Sequence, residues 1–249
     1  AKYNLAVLFD EGLGVPKDYV MAFSWYRDAA AGGSAMAENN IGNLYENGLG
    51  VEQDYTLAVK WYLKAAERGL SIARTNLAIM YQLGHGVKRD YKTAAHWYEL
   101  AAMSGEQIAQ NNLGLLYANG LGVVKNLGRA IQWLILASEG RQSDLALRAR
   151  HKSEKLSLRV TQDELSRIIE DARHLQLRLE SRHKRPLVPI PLLNGEFRNL
   201  TLGIQRVLSG LGHYIGPVDG LMGPSTLVAI ESANTKYGLT YSNETASNY

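Results

Sequence analysis

Asparagine and aliphatic side chains recur at a helical spacing in the first half of the chain, and together they offer a binding chemistry. An amide side chain carries hydrogen-bond donors and an acceptor, so a row of amides suits the backbone of an extended or helical peptide. The row occupies positions i, i+3 and i+7 of three helical segments and consists of Asn40, Asn43, Asn47, Asn76, Ile79, Leu83, Asn112, Leu115 and Asn119. These nine residues are the candidate binding surface.

Sequence patterns of catalysis and of metal binding are not found. The chain has no cysteine, which excludes a disulfide framework, a thiolate metal site and a cysteine nucleophile. No metalloprotease HExxH, serine-hydrolase Gly-x-Ser-x-Gly or phosphate-binding Walker motif occurs, and no two histidines stand three or four residues apart. We therefore expect a protein that is not an enzyme and that has no cofactor and no metal ion.

Composition narrows the classes of partner. The 249 residues include 27 Lys and Arg against 24 Asp and Glu, a formal net charge of +3, and this near balance argues against a nucleic-acid partner. No run of 18 apolar residues occurs, so no segment is expected to span a membrane. Apolar residues make up 46% of the chain, which is enough for a large core.

A period of 36 residues organises residues 1–141. Its clearest mark is the spacing of the tryptophans, which are Trp25, Trp61, Trp97 and Trp133. Each copy also carries a Gly-x-Gly-Val sequence, which is preceded by one amphipathic segment, helix A, and followed by another, helix B. In the second copy we expect Gly48 to end helix A and Asp54 to cap helix B. The tryptophans recur at one position of helix B, which predicts that they are core residues.

Small residues also recur once in each helix A. They are Ala6, Gly42, Ala78 and Gly114. A residue with no side chain beyond Cβ lets a second helix approach closely, so we expect a neighbouring helix to pack at these positions.

These features resemble the Sel1-like repeat, a relative of the tetratricopeptide repeat in which a Gly-x-Gly-Val loop lengthens the helical hairpin. The resemblance implies an all-α fold, a right-handed α-solenoid of four helical hairpins over residues 1–141. It also implies that helix A lines a concave groove, where the nine-residue row would bind a protein partner. The alternative is that Asn4, Asn40, Asn76 and Asn112 bond to the backbone of neighbouring loops and serve only the fold.

Two further helices are predicted over residues 142–180, as a cap on the end of the solenoid. Thr161 and Glu164 form the capping-box pattern that begins the second of them. This region carries an excess of basic residues, which either form a solvated face or suit an anionic partner; they are Arg148, Arg150, Lys152, Lys155 and Arg159. Residues 181–196 contain three prolines within six residues and predict an extended linker.

The last segment, residues 197–249, is predicted to be a small helical module. Its motifs include Gly216-Pro217-Val218-Asp219-Gly220 and Gly223-Pro224, and they resemble a degenerate peptidoglycan-binding domain. The chain has Ala233-Asn234 where that family usually has Phe-Gln, and it lacks the family's third helix. If the module binds wall glycan, the expected contacts are Tyr214, Asp219, Tyr237 and Tyr241.

The order of repeats, cap, linker and terminal module resembles the periplasmic end of alphaproteobacterial polarity factors of the PodJ type. That resemblance implies a periplasmic fragment of a larger, membrane-anchored protein, which docks partners such as a membrane sensor kinase and helps to localise polar machinery at the cell wall. One alternative is a peptidoglycan anchor in which the solenoid is a spacer. Another is the regulatory part of an enzyme.

Overall fold

A computed structural model describes residues 2–140 and 143–183. These residues form ten α-helices and no strand, so the predicted all-α solenoid of Sel1-type hairpins is confirmed. The predicted terminal module and all but three residues of the predicted linker lie outside the described residues. The helices are α1 (Lys2–Glu11), α2 (Tyr19–Ala31), α3 (Ala35–Asn47), α4 (Tyr55–Glu67), α5 (Ser71–Leu83), α6 (Tyr91–Ala102), α7 (Gln107–Asn119), α8 (Leu127–Ser138), α9 (Ser143–Ser157) and α10 (Gln162–His183).

The described residues divide into two compact units. The first contains residues 2–37 and 48–52, in which α1 packs against α2. The second contains residues 38–47, 53–140 and 143–183. Within it, successive helices pack as hairpins and as neighbours, α4 on α5, α5 on α6, α6 on α7 and α7 on α8. All nine residues of the candidate row belong to this second unit.

Each helix B begins at a side-chain cap, as its sequence predicts. The carboxylate of Asp54 accepts a hydrogen bond from the backbone N–H of Leu57 at 2.9 Å, and Asp90 accepts from the N–H of Lys92 at 2.9 Å. Asn126 takes the same place at the start of α8. These bonds satisfy N–H groups that a helix start leaves without partners. Gly48, at a φ of +67°, ends α3 as expected.

The second glycine of the Gly-x-Gly-Val loop makes a close backbone contact in three of the four repeats, which the sequence did not reveal; Gly14, in the first repeat, makes none. Gly86 lies directly against the backbone of Tyr55, at the start of the preceding helix B, and Gly122 lies in the same way against Tyr91. A Cβ atom at either glycine would fall inside the van der Waals radius of the tyrosine carbonyl. These glycines are therefore points of close backbone contact between one repeat and the next, in addition to the packing of the helices.

The helix A small residues also make the predicted close contacts. A Cβ at Gly42 would lie 2.7 Å from the ring of Tyr62, and one at Gly114 would lie 2.9 Å from the side chain of Leu134. The absence of a side chain thus lets helix B cross helix A at short distance. In the third repeat the equivalent Ala78 is fully buried.

The core of the repeats is built on tyrosine more than on tryptophan. Tyr26, Tyr62 and Tyr98 are fully buried, whereas Trp61 and Trp97 are only half-buried. The ring of Trp61 lies under the ammonium group of Lys64, 4.1 Å from the ring centroid, a cation–π contact at the surface. Trp25 and Trp133 are buried in the core as predicted, and Trp97 packs against the core cluster although it is partly exposed, whereas Trp61 contacts Lys64 at the surface. The outer face of helix B, where the rings of Trp61 and Trp97 lie, is covered only in part.

The two cap helices pack on the last repeat. The capping box forms as predicted, because Glu164 accepts from the N–H of Thr161 at 2.9 Å and the Thr161 hydroxyl accepts from the N–H of Glu164 at 3.3 Å. Helix α10 packs against α8 and adds Leu175 and Leu179 to the core cluster that contains Trp133. It continues to His183, three residues past the predicted end of the cap. The reason is that the basic run at 181–185 can extend a helix, and the first proline comes only at 186.

Candidate functional site

The candidate row lies at exposed or partly exposed positions of the helix A segments. Asn43, Asn47, Leu83 and Asn119 are exposed, and the other five members are partly exposed. Two more side chains extend the same face by one helical turn. They are Ile72, which is 45% exposed, and Ile108, which is partly buried. The eleven residues are called the helix A face below.

None of the eleven residues carries a charge. One in five residues of the whole chain is Asp, Glu, Lys or Arg, so a solvent-facing surface of this size without any of them is unusual. The face is instead a mixture of amides and aliphatic side chains. Such a surface costs less to desolvate than a charged one if its amides bond to the ligand, which favours contact with an uncharged partner that offers hydrogen-bonding groups.

Some amides of the face are engaged in the fold, as the alternative interpretation expected. Asn76 donates from Nδ2 to Oδ1 of Asn39 at 3.0 Å, and Asn39 donates in turn to Oδ1 of Asn40 at 3.3 Å. This short chain of amides connects α5 to α3. The predicted bonds to neighbouring loops are replaced here by bonds between helices, because Asn39 is buried and needs partners.

Near the ends of the helices the amides bond to their own backbone. Asn47 donates to the carbonyl oxygen of Asn43, and Asn119 donates to that of Leu115, each at 2.9 Å. Both bonds satisfy a carbonyl of the last helical turn. An amide has two N–H donors and an acceptor oxygen, so each of these side chains retains groups for a ligand.

A buried tyrosine bonds to helix A in two repeats. The Tyr62 hydroxyl donates to Oε2 of Glu46 at 2.5 Å. The Tyr98 hydroxyl donates to Oε1 of Gln82 at 2.8 Å and accepts from Nδ2 of Asn112 at 3.1 Å. The bond from Asn112 holds this member of the face in a fixed orientation.

The tyrosine pairing was missed, although the sequence carries a signal for it. In the first unit Tyr26 donates to Asp10 at 2.7 Å, so three repeats bond a tyrosine to a polar residue sixteen positions earlier. The fourth repeat has Leu134 and Ala118 at these positions, so both polar partners are lost together. Because the repeats can be compared with one another, this joint loss of the tyrosine and its polar partner can be recognised in the single sequence, without related proteins.

Burial of these hydroxyls makes stability sensitive to alkaline pH. Burial, reinforced for Tyr62 by the Glu46 carboxylate, raises the pKa of Tyr62 and Tyr98 well above the ordinary value of 10.0. The unfolded chain therefore loses these protons from about pH 10 while the folded chain retains them, and stability falls with rising pH by about 1.4 kcal/mol per unit for each tyrosine. Urea unfolding at pH 8 and pH 11 tests this, because Y62F/Y98F is expected to lose less stability between the two pH values than the wild type.

Tyr214, Asp219, Tyr237 and Tyr241 lie outside the described residues. Within residues 2–140 and 143–183, no three acidic or histidine side chains gather in a way that could hold a metal ion. Of the helices in this same part of the chain, none combines the length and apolarity that a membrane crossing requires.

Comparison with known proteins gives the same repeat. The family model of the Sel1 repeat matches residues 1–34, 35–70, 71–106 and 107–141. A Sel1 repeat protein from Oxalobacter formigenes is 34% identical over 62% of this chain and 69% of that one, with a TM-score of 0.53. No curated protein sequence matches.

A second solved structure resembles the chain over a greater length. It is c5321, a protective antigen of uropathogenic Escherichia coli strains that displays an SLR fold. The two are 28% identical over 95% of this chain, with a TM-score of 0.60. The chain spans only 45% of that protein.

The family matches agree with the period and the hairpins described above. They follow one another without a gap from residue 1 to residue 141, which is more than half of the chain. Proteins of this kind generally act as scaffolds for protein interactions rather than as enzymes. The chain belongs to the Sel1 repeat family.

Proposed function

We propose that this chain is a non-catalytic scaffold that docks a protein partner along the helix A face. The observation that supports this most directly is the lack of charge on eleven exposed or partly exposed residues of three consecutive repeats. The aliphatic members Ile72, Ile79 and Leu83 cluster on α5, and amides flank them on α3 and α7. An uncharged peptide segment fits this arrangement, because apolar side chains would pack on α5 while the amides bond to peptide groups.

The first test uses a displayed library of random twelve-residue peptides, with the full chain as bait. The double variant I72D/L83D places two carboxylates on the face. It is expected to reduce the enrichment of peptides at least tenfold, because a docked peptide would have to desolvate both charges. The matched control is V124D/L158D, since Val124 and Leu158 are 88% and 87% exposed and lie outside the face.

The control distinguishes an effect of charge on the helix A face from an effect of added negative charge anywhere on the chain. Both variants replace two exposed aliphatic residues by aspartate and lower the net charge equally. Retained enrichment with V124D/L158D and loss with I72D/L83D is the expected result. Equal enrichment by both variants would contradict docking on the helix A face, as would a library from which the wild-type chain enriches nothing.

We further propose that the scaffold works in the bacterial envelope. The support is the sequence resemblance of residues 197–249 to a degenerate peptidoglycan-binding domain and the polarity-factor order of segments. On this proposal the chain is periplasmic, and a membrane sensor kinase is a candidate partner of the face. The alternative function is that of a wall anchor whose terminal module binds glycan.

Co-sedimentation with purified peptidoglycan sacculi tests the anchor. If the module binds glycan, the full chain pellets with the sacculi and Y214A pellets several-fold less, since an aromatic ring that stacks on sugar would be lost. Val124, an exposed residue of the repeats, provides the control as V124D. A full chain that stays in the supernatant would show that the module is not an anchor, and the helix A face would remain the place of function.

A further inference from the structure

Helix α9 occupies the place of helix A in a fifth copy of the repeat. It begins at Ser143, 36 residues after Gln107 begins α7. It packs on α8 and α7, and its Ala149 is fully buried, as is Leu113 one period earlier. The family match ends at residue 141, so this correspondence comes from the packing and not from the repeat motif.

The helix A face therefore continues onto α9, where its chemistry changes. The positions that follow Ile108, Asn112, Leu115 and Asn119 by 36 residues are Asp144, Arg148, His151 and Lys155. All four side chains are exposed. A surface that is uncharged over three repeats thus continues on α9 with one carboxylate in the first turn and ends in two permanent cations and a histidine.

The surroundings leave this end positive. Lys152 lies between the row and the core, and burial, together with Arg148, lowers its pKa. The acidic side chains nearby on the helix are Asp144 and Glu154. Among the ion pairs of the described residues, none includes Arg148, Lys152 or Lys155. The cations are therefore available to a ligand.

We propose that the partner of the helix A face is a peptide with an uncharged stretch and an acidic end, and that Arg148, His151 and Lys155 bind the acidic end. The inference rests on the proposed docking function and adds the chemical class and the direction of the partner. The uncharged stretch lies on α3, α5 and α7, and the carboxylates lie on α9. Charge complementarity at one end fixes the direction in which the peptide binds.

A peptide suits this end of the surface better than a nucleic acid does. The three side chains span eight residues of helix, about 10 Å from first to last, which matches a few carboxylates but not a long run of phosphates. Helix α9 has no Phe, Tyr or Trp side chain, so His151 is the one ring on this helix that could stack on a base. The cationic residues directly adjoin the uncharged part of the helix A face, which suits peptide groups.

The test compares two double variants that remove the same charge. R148Q/K155Q neutralises the row, and R150Q/R159Q neutralises two exposed arginines that lie off it. Each variant, like the wild-type full chain, selects from the displayed twelve-residue library. The most enriched peptide and a copy with Asn and Gln in place of Asp and Glu are then titrated at 0.05 M and 0.3 M NaCl.

We expect the wild type and R150Q/R159Q to enrich peptides with acidic residues at one end, and R148Q/K155Q to enrich peptides without them. The acidic peptide should bind R148Q/K155Q about three- to tenfold more weakly at low salt, with a smaller difference at high salt. If the wild-type chain enriches peptides without acidic residues, this inference is overturned and the docking function stays intact. An equal loss in both variants would overturn it too, as would tighter binding of a single-stranded oligonucleotide than of the peptide. Failure to enrich any peptide would overturn the docking function itself.

Discussion

Gly86→Ala is expected to destabilise the chain by about 2–5 kcal/mol, from two separable causes. The residue has a φ of +69°, in the left-handed region, where an alanine costs about 1–2 kcal/mol. Its new Cβ would also collide with the backbone of Tyr55, which cannot move aside as a side chain can. Overpacking against fixed atoms adds about 1–3 kcal/mol.

Gly14→Ala is the matched control for this variant. Gly14 has nearly the same conformation, with a φ of +74°, but no atom lies within 4 Å of the place of its Cβ. It is expected to cost only the conformational part, about 1–2 kcal/mol. Urea unfolding of both variants, followed by tryptophan fluorescence and by circular dichroism, measures the difference. Equal costs would show that the contact between Gly86 and Tyr55 does not hold the repeats together.

Tyr62→Ala is expected to cost about 3–5 kcal/mol, more than removal of the larger side chain next to it. Tyr62 is fully buried, and its hydroxyl bonds to Glu46, whereas Trp61 is half-buried with its ring under Lys64. Trp61→Ala should therefore cost only about 2 kcal/mol, because less apolar area leaves the core. The same unfolding measurement ranks the two variants, and a costlier Trp61→Ala would contradict this assignment of the core.

Tyr62→Phe separates the ring from the hydroxyl. The ring keeps its place in the core, and the loss is that of one hydrogen bond to a carboxylate, about 1.5–3 kcal/mol. A neutral effect would mean that water replaces the hydroxyl at Glu46. Tyr98→Phe is the companion, because the acceptor there is the neutral side chain of Gln82 and the expected loss is smaller, about 0.5–1.5 kcal/mol.

Much of the fold could be predicted because the same local sequence features recur in each repeat. A cap such as Asp54, a helix end such as Gly48 and a close crossing such as Gly42 are local features, and each appears several times in register. The helix A face was also predictable, since residues at i, i+3 and i+7 of a helix share one side wherever the helix lies. Local rules of this kind need no knowledge of the neighbouring repeat.

What could not be predicted depends on contacts between distant residues. The role of Gly86 requires the backbone of Tyr55, 31 positions earlier. The choice between Trp61 and Tyr62 as the core residue depends on how helix B is rotated, because adjacent residues differ by about 100° around a helix. The cationic end of the face depends on α9 stacking as a further helix A, although its motif residues have been lost.

The packing of α9 also bears on how such a chain can grow by duplication. Arg150 stands one period after Gly114, at the position where a small residue lets helix B cross helix A, and it is exposed. A hairpin cannot close over an arginine at that crossing, so α9 can end a stack of hairpins but cannot pair as they do. If a 36-residue unit is duplicated before residue 107, each helix B still crosses its helix A at a glycine or an alanine, so each hairpin can close. Changes in the number of repeats are therefore permitted upstream of the last hairpin, and the cationic end stays last whatever that number becomes.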